Sequence, residues 1–289
     1  MLNSILPVFE EDIFLKLRPF PAEPTNLYAK HWHEVLGSFL FYFLINKLSP
    51  LFSKRYLGRL YTDLSVKTRI NFDIHVVGMV QCLISIAILL PMWNHKNWSN
   101  RVDDVHSSIF GYTPYGGFVS SMTVGYFAWD LMVCVQYFRL FGIGFLLHAF
   151  AALYVFICAL RPYSMPWAPA FLLFELSSPF VNINWFASRL PQGTFSEKTI
   201  LINGLLLLFT FFSVRIAWGF YAVSLIAYDM FRVRSEAPIF LPLSILGLNL
   251  VLDVLNVYWF SKMLRIAYKK LTGTDSTKKL TNDATEKVQ

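Results

Sequence analysis

Long apolar stretches alternate with short polar ones along almost the whole chain. Seven of them are long enough to cross the roughly 30 Å hydrocarbon layer of a bilayer as α-helices. They cover residues 34–51, 72–93, 117–138, 142–160, 166–187, 199–228 and 239–262. The pattern predicts an all-α polytopic membrane protein with about seven transmembrane helices.

The composition supports this class. Of the 289 residues, 55% are hydrophobic and 15% are charged, whereas a soluble domain has about 25% charged residues. The net charge of +7 does not indicate nucleic-acid binding, because the basic residues lie mostly in loops and in the C-terminal tail. At those positions they contact anionic lipid headgroups, so the expected partner is membrane lipid. The sequence leaves open whether the chain forms a homo-oligomer.

The polar stretches divide the chain into four parts. We expect an irregular N-terminal arm over 1–33, the first transmembrane helix and a basic cytosolic loop over 34–70, a six-helix membrane domain over 71–268 and a disordered cytosolic tail over 269–289. Lys and Arg are most numerous on the side that holds the first loop and the tail. This asymmetry predicts a cytosolic C-terminus.

Ionisable residues within the apolar stretches are the first candidates for a functional site. The acids are Asp130, Glu175 and Asp253, and the bases are Arg215 and His148. A charge at mid-bilayer costs roughly 2.5–3.5 kcal/mol on insertion scales and usually has a function. The acids outnumber the one strong base, which favours a ligand or water near them. The structural alternative is a buried network in which Arg215 pairs with one acid while asparagines and serines satisfy the others.

The fifth apolar stretch carries the clearest polar stripe. At helical spacing Glu175, Ser178 and Asn182 fall on one face, which must point toward protein or a ligand. Pro179 has no N–H, so the carbonyl of Glu175 loses its usual helical donor. Ser177 and Ser178 are placed to compensate locally. In the last stretch a second stripe joins Asn249, Asp253 and Asn256.

The histidines and cysteines give weaker signals. We place His31, His33, His95 and His106 in loops, and the run from His31 to Glu34 matches no tetrahedral metal motif, so we expect no metal site. His148 is either a packed, hydrogen-bonded residue or a general base. Three cysteines lie within apolar stretches and are expected to be buried free thiols; they are Cys82, Cys134 and Cys158. Asn97 begins an N-glycosylation sequon on the predicted luminal side.

Several motifs resemble the TLC-domain family, named after translocating-chain-associated membrane proteins, Lag ceramide synthases and a lipofuscinosis protein. The run from Phe174 to Asn182, followed by Trp185-Phe186, is similar to the signature of members that are not ceramide synthases. The stretches Asn203–Ile216 and Leu252–Phe260 resemble the next helix and the final span, and Gly125-Tyr126-Phe127 with Asp130 fits the third. The resemblance covers roughly residues 70–270 and is strongest to short TLC-domain-containing proteins.

The resemblance implies an endoplasmic-reticulum membrane protein of lipid homeostasis, acting on sphingolipid or phospholipid acyl-chain composition. It would bind a lipid or acyl chain within the bundle, at Glu175, Ser178, Asn182, Arg215, Asp253 and Asn256. The alternative is an acyltransferase of ceramide-synthase type that uses fatty acyl-CoA as substrate, with His148 and Asp130 as catalytic residues. Ceramide synthases carry a paired histidine where this chain has His148-Ala149, and a His-Asp where it has Phe174-Glu175. No cofactor is implied.

Overall fold

The computed structural model describes residues 6–272, which contain helices and no strands. The longer helices are α1 (Leu27–Leu57), α2 (Val66–Leu89), α3 (Pro114–Gln136), α4 (Phe138–Ala159), α5 (Ser178–Arg189), α6 (Glu197–Phe211), α7 (Trp218–Arg232) and α8 (Phe240–Leu271). Short α-helices cover Arg59–Thr62, Lys96–Ser99, Val105–Phe110 and Ala168–Leu172. Turns of 3-10 helix cover Ile13–Leu17, Leu90–Met92, Met165–Trp167 and Leu173–Ser177. A π-helical turn, Phe212–Ala217, joins α6 to α7.

Within the described range, six helices are long and apolar enough to cross a membrane. They are Leu27–Leu57, Val66–Met92, Pro114–Gln136, Phe138–Ala159, Glu197–Arg232 and Phe240–Lys269. Each corresponds to one of the apolar stretches, which confirms the all-α multi-pass class. The helix α3 is the central one. Of its 18 most apolar consecutive residues 56% are buried, against 17–33% in the other five helices. It packs between α1 and α4.

The remaining predicted span, 166–187, is not a continuous helix. Pro166, Pro169 and Pro179 each fall in the first turn of a separate short element, because proline is tolerated there and not in a helix interior. The segment nevertheless runs antiparallel to α2. The ring of Phe186 lies 4.9 Å from that of Phe72, near the start of α2, and earlier residues contact later turns of that helix.

Both ends of the bundle differ from the sequence prediction. Asn26 caps α1 by accepting a hydrogen bond from the Ala29 N–H at 2.9 Å. Residues 27–33 of the predicted irregular arm are therefore helical, and His31 and His33 lie on α1, not in a loop. At the other end α8 continues to Leu271, so the predicted tail begins within a helix, and residues 273–289 lie outside the described part.

The loop residues also form local structure. His95 caps the short helix Lys96–Ser99, and His106 lies within the helix Val105–Phe110, so neither is in an irregular loop. Asn97 of the sequon lies within the first of these helices and is half-buried. The three cysteines are free and buried, as the sequence predicted.

An ion pair ties this loop region to the end of α7. The Nε of Arg101 donates to Oδ2 of Asp229 at 3.0 Å, and Nη2 donates to Oδ1 at 3.3 Å. The Ser108 hydroxyl also donates to the same carboxylate, at 3.4 Å. Since the Asp229 side chain is only 1% exposed, the loop between α2 and α3 is held to the bundle by a buried bidentate pair.

Candidate functional site

Arg215 is the buried cation around which the candidate site is built. It lies on the π-helical turn between α6 and α7 and is 9% exposed. Its Nε donates to the Ser177 hydroxyl at 2.9 Å, and its Nη2 donates to the Ser178 hydroxyl at 3.1 Å. The guanidinium also faces the rings of Phe211 and Phe174, at 5.3 and 6.0 Å.

No carboxylate among the described residues lies within 4.0 Å of this guanidinium. Arg215 therefore forms no close ion pair with an intramembrane acid of the described residues, and Glu175 interacts with it electrostatically at longer range. A guanidinium carries five N–H donors, and the two serine hydroxyls take only two of them. Arg215 thus holds a desolvated positive charge with donors left for another group.

The local sequence explains how two adjacent serines reach one arginine. The turn Leu173–Ser177 is 3-10 helix and α5 starts immediately after it, with Pro179 in its first turn. The Ser178 N–H donates to the Glu175 carbonyl, and the Ser177 hydroxyl donates to the Phe174 carbonyl at 2.9 Å. The change from three residues per turn to 3.6 brings both hydroxyls to the same side. The sequence predicted Ser178 for the site and missed Ser177, which is fully buried.

Asn182 connects α5 to α2. Its Oδ1 lies 2.7 Å from Nδ1 of His75, and the His75 ring stacks on Trp185 with centroids 4.3 Å apart. A Cβ at Gly78 would lie 3.4 Å from the same amide oxygen, so α2 and α5 approach closely here. Sequence analysis placed Asn182 in the candidate site but did not identify His75 as its partner.

Glu175 and Asp130 border the same interior as Arg215. Both are half-buried. Glu175 interacts electrostatically with Asp130 and with Arg215, and Tyr126 interacts with Asp130 and with Arg215. Glu175 on the 3-10 turn therefore links Asp130 of α3 to Arg215 of the π-helical turn, so these groups form one electrostatic neighbourhood.

His148 also lies in this neighbourhood, on α4, and interacts electrostatically with Arg215. Its ring makes edge contacts with Phe127 and Trp259, with centroids 6.2 and 5.6 Å apart. In the described part of the chain no carboxylate lies within 4.0 Å of it. The two predicted catalytic residues, His148 and Asp130, thus share an interior but do not form a hydrogen-bonded pair.

The polar stripe of α8 is buried beside this interior. Asn249, Asp253 and Asn256 are each less than 5% exposed. Asn249 donates to the Ile245 carbonyl of its own helix at 2.9 Å. Asp253 faces α7, where a Cβ on Gly219 would lie 3.9 Å from its Oδ1. These side chains line the boundary between α7 and α8 and do not contact Arg215.

Two internal cavities are small. One is enclosed by Phe156, Phe171, Ile226 and Ile245, and the other lies near His95. Each has a volume of about 10 Å³, enough for about one water molecule. Neither is lined by Arg215 or Glu175.

The amino-acid sequence matches a described family and several known proteins. The family model "TLC domain" matches residues 71–265. The chain is 40% identical to Topoisomerase I damage affected protein 4 of Saccharomyces cerevisiae, over 92% of this chain and 94% of that protein. It is 39% identical to an uncharacterized TLC domain-containing protein of Schizosaccharomyces pombe, over 84% and 81% of the two chains. Human TLC domain-containing protein 4 is 29% identical, over 83% of this chain and 86% of that protein.

Proposed function

Because this chain belongs to the TLC-domain family, and its relatives in Schizosaccharomyces pombe and human are TLC domain-containing proteins, we propose that it functions in lipid homeostasis of the endoplasmic-reticulum membrane. It binds a membrane lipid between its helices, and its C-terminus faces the cytosol. The site is the neighbourhood of Arg215, Glu175 and Asp130.

The observation that carries this proposal is the unpaired charge of Arg215. A buried guanidinium that contacts only hydroxyls and aromatic rings has not regained the stabilisation that it loses on leaving water. A phosphate or carboxylate group of a lipid supplies what is missing, because its oxygens accept hydrogen bonds from the unused N–H groups in a bidentate geometry.

The two half-buried acids restrict the kind of lipid. Glu175 and Asp130 repel a purely anionic headgroup, but they accept hydrogen bonds from a hydroxyl or an ammonium group. A headgroup with an anionic oxygen group at Arg215 and a hydroxyl or ammonium group at the acids satisfies both. Phospholipids with an amine headgroup and phosphorylated sphingoid lipids have this chemistry.

A competing function is acyl transfer from fatty acyl-CoA with His148 as general base. Its position near Arg215 favours this function, since a base must lie beside the bound substrate. A working base is usually oriented by a hydrogen bond from a third group, and His148 has only ring contacts within residues 6–272. We therefore place lipid binding first.

The test uses the full chain purified in mild detergent, with co-purifying lipids extracted and quantified by mass spectrometry. We expect a specific lipid with an anionic oxygen group, reduced at least tenfold by Arg215→Gln. The matched control is Arg189→Gln, which removes an exposed base at the end of α5 and should leave the bound lipid unchanged. Equal lipid in both variants contradicts the proposal. Transfer of an acyl chain from acyl-CoA to a sphingoid base, abolished by His148→Ala, supports the enzyme instead.

Location and topology are tested separately. A tag at the C-terminus should be accessible to antibody after selective permeabilisation of the plasma membrane, and it should coincide with an endoplasmic-reticulum marker. A C-terminal tag protected until the internal membranes are opened contradicts the topology.

A further inference from the structure

A second polar cluster lies outside the matched region, where the N-terminal arm folds against the start of α1. Asp12 comes from the arm and caps the 3-10 turn Ile13–Leu17, while His31 and Glu34 lie one turn apart on α1. The three residues are 6%, 0% and 6% exposed, respectively. Three side chains that ligate metals are thus buried together.

The distances place their donor atoms around one point. Nδ1 of His31 lies 2.7 Å from Oε2 of Glu34 and 3.8 Å from Oδ2 of Asp12. One ligand atom from each residue lies within 4.8 Å of the other two. Zinc takes nitrogen and carboxylate oxygen ligands at about 2.0–2.2 Å, so a single ion between these atoms requires only small side-chain shifts.

Two carboxylate oxygens in this cluster lack the partner that burial demands. Oδ2 of Asp12 and Oε1 of Glu34 are buried and have no hydrogen-bond donor among the described residues. No Lys or Arg nitrogen of residues 6–272 lies within 4.0 Å of either carboxylate. The nearby Arg18 donates instead to backbone carbonyls, among them those of Pro21 and Ala22. We propose that Asp12, His31 and Glu34 bind a divalent transition-metal ion of the zinc or manganese type.

Hydrogen-bonding partners orient the three side chains, as they do around the ligands of metal sites. Nδ1 of His31 hydrogen-bonds Oε2 of Glu34 at 2.7 Å, and Nε2 lies 3.1 Å from the Tyr112 hydroxyl. A metal that replaces the Nδ1 proton leaves Nε2 donating to that hydroxyl. Oδ1 of Asp12 accepts from the Phe14 N–H at 2.8 Å, which leaves Oδ2 facing the cluster. The ring of His31 packs directly on α3, where a Cβ at Gly117 would clash with Nε2.

A metal resolves the electrostatic problem of the cluster. Two carboxylates are buried side by side here, and without a cation their like charges repel each other at close range. The competing arrangement is a proton shared between the two carboxyl groups. A bound ion fastens the N-terminal arm to α1. Through the contacts of His31 with Tyr112 and Gly117 it also connects the arm to the start of α3. Sequence analysis predicted no metal site here, because the His31–Glu34 run alone matches no metal motif and Asp12 is remote from it.

The experiment measures metal in the untagged full chain, purified in detergent, stripped with EDTA and dialysed against ZnCl₂ or MnCl₂. We expect one tightly bound zinc or manganese ion per chain, measured by inductively coupled plasma mass spectrometry. Asp12→Asn and Glu34→Gln, which keep the size of each side chain, should weaken binding at least tenfold. Tyr112→Phe should weaken it about 10- to 100-fold, as outer-shell substitutions do. Glu11→Gln and His106→Gln are the controls. They change an exposed glutamate and an exposed histidine outside the cluster and should have no effect on metal binding.

Two results overturn the proposal. One is a wild-type chain that holds no metal above the buffer background, which leaves the shared proton. The other is equal binding by wild type, Asp12→Asn and Glu34→Gln. If a variant does not purify as a folded chain, X-ray absorption of the zinc-loaded wild type decides: scattering from a single imidazole supports the site, and its absence contradicts it.

Discussion

Arg101 and Arg215 are both largely buried, but their surroundings differ. Arg101 makes two hydrogen bonds with Asp229 and stacks over Trp167 with its guanidinium 5.4 Å from the ring. Arg215 faces two serine hydroxyls and two phenylalanine rings, with no carboxylate of the described residues within 4.0 Å. The first arginine has a permanent counter-charge and the second does not.

The difference separates a structural role from a binding role. A buried ion pair leaves no charge for a ligand, and its function is to join the segments that carry its partners. A buried cation whose close partners are all neutral can still bind an anionic group of a ligand. The surplus of acids near Arg215 does not remove that field, since Glu175 and Asp130 lie beyond ion-pair distance and are half-buried.

The largest expected effect on stability comes from breaking the ion pair between Arg101 and Asp229. Arg101→Ala leaves the Asp229 carboxylate buried without its cation, which should lower the free energy of unfolding by about 3–5 kcal/mol. Denaturation of the purified chain in mixed micelles measures this loss. Lys96→Ala removes an exposed base from the same loop and should change stability by less than about 0.5 kcal/mol. A loss below about 1 kcal/mol for Arg101→Ala would show that the pair is not structural.

Removing Arg215, which has no close ion pair, should lower the free energy of unfolding by less than removing Arg101. Arg215→Gln leaves no carboxylate unpaired at close range, and it removes hydrogen bonds to two serines, so we expect a loss of about 1–3 kcal/mol. The same denaturation assay, run on lipid-stripped chain, measures it. A loss equal to that of Arg101→Ala would mean that Arg215 balances an acid after all, and the comparison between the two arginines would fail.

The two serines should contribute unequally. Ser177 is fully buried and accepts from Nε, so Ser177→Ala should destabilise the chain by about 1–2 kcal/mol. Ser178 is half-buried, and water can replace its hydroxyl, so Ser178→Ala should cost about half as much. Unfolding of the two single variants side by side gives the ratio. A larger loss for Ser178→Ala than for Ser177→Ala would contradict this expectation and show that Ser178 stabilises Arg215 more strongly.

The smallest effect on stability is expected for Glu175→Gln. This carboxylate is half-buried and has no ion pair within 4.0 Å among residues 6–272, so its neutralisation should change the free energy of unfolding by less than about 0.5 kcal/mol. The lipid bound by the purified variant should nevertheless change in amount or headgroup. An unchanged lipid profile would remove Glu175 from the proposed site.

The sequence predicted the features that follow from local composition. Apolar length predicted six of the spans correctly. It was wrong in predicting a continuous helix over 166–187, where prolines begin separate short elements. The start of α1 was missed because Leu27–Glu34 mixes polar and apolar residues, so only the Asn26 cap signals a helix there. An ideal helical stripe also excluded Ser177, since the 3-10 geometry of that turn is set by packing against α2 and the π-helical turn.

The contacts that join distant parts of the chain were beyond the sequence. Arg101 and Asp229 are separated by 128 residues, and His75 and Asn182 by 107. A single sequence contains the chemistry of each residue but not the partner that tertiary packing assigns to it. For this reason the candidate lipid site was predicted as a list of polar positions, and its organisation around an unpaired arginine appeared only in three dimensions.

The π-helical turn at Phe212–Ala217 has a consequence for the length of the chain. A π-helical turn accommodates one residue more than an α-helical turn, so deletion of one residue there would allow an unbroken helix from Glu197 to Arg232. Because the widened turn absorbs the rotation of its additional residue, such a deletion would keep the span, its hydrophobicity and the relative orientation of its two halves. It would remove only the widened turn that carries Arg215. The effect of the additional residue is therefore local to the buried guanidinium and leaves the helix on either side unchanged.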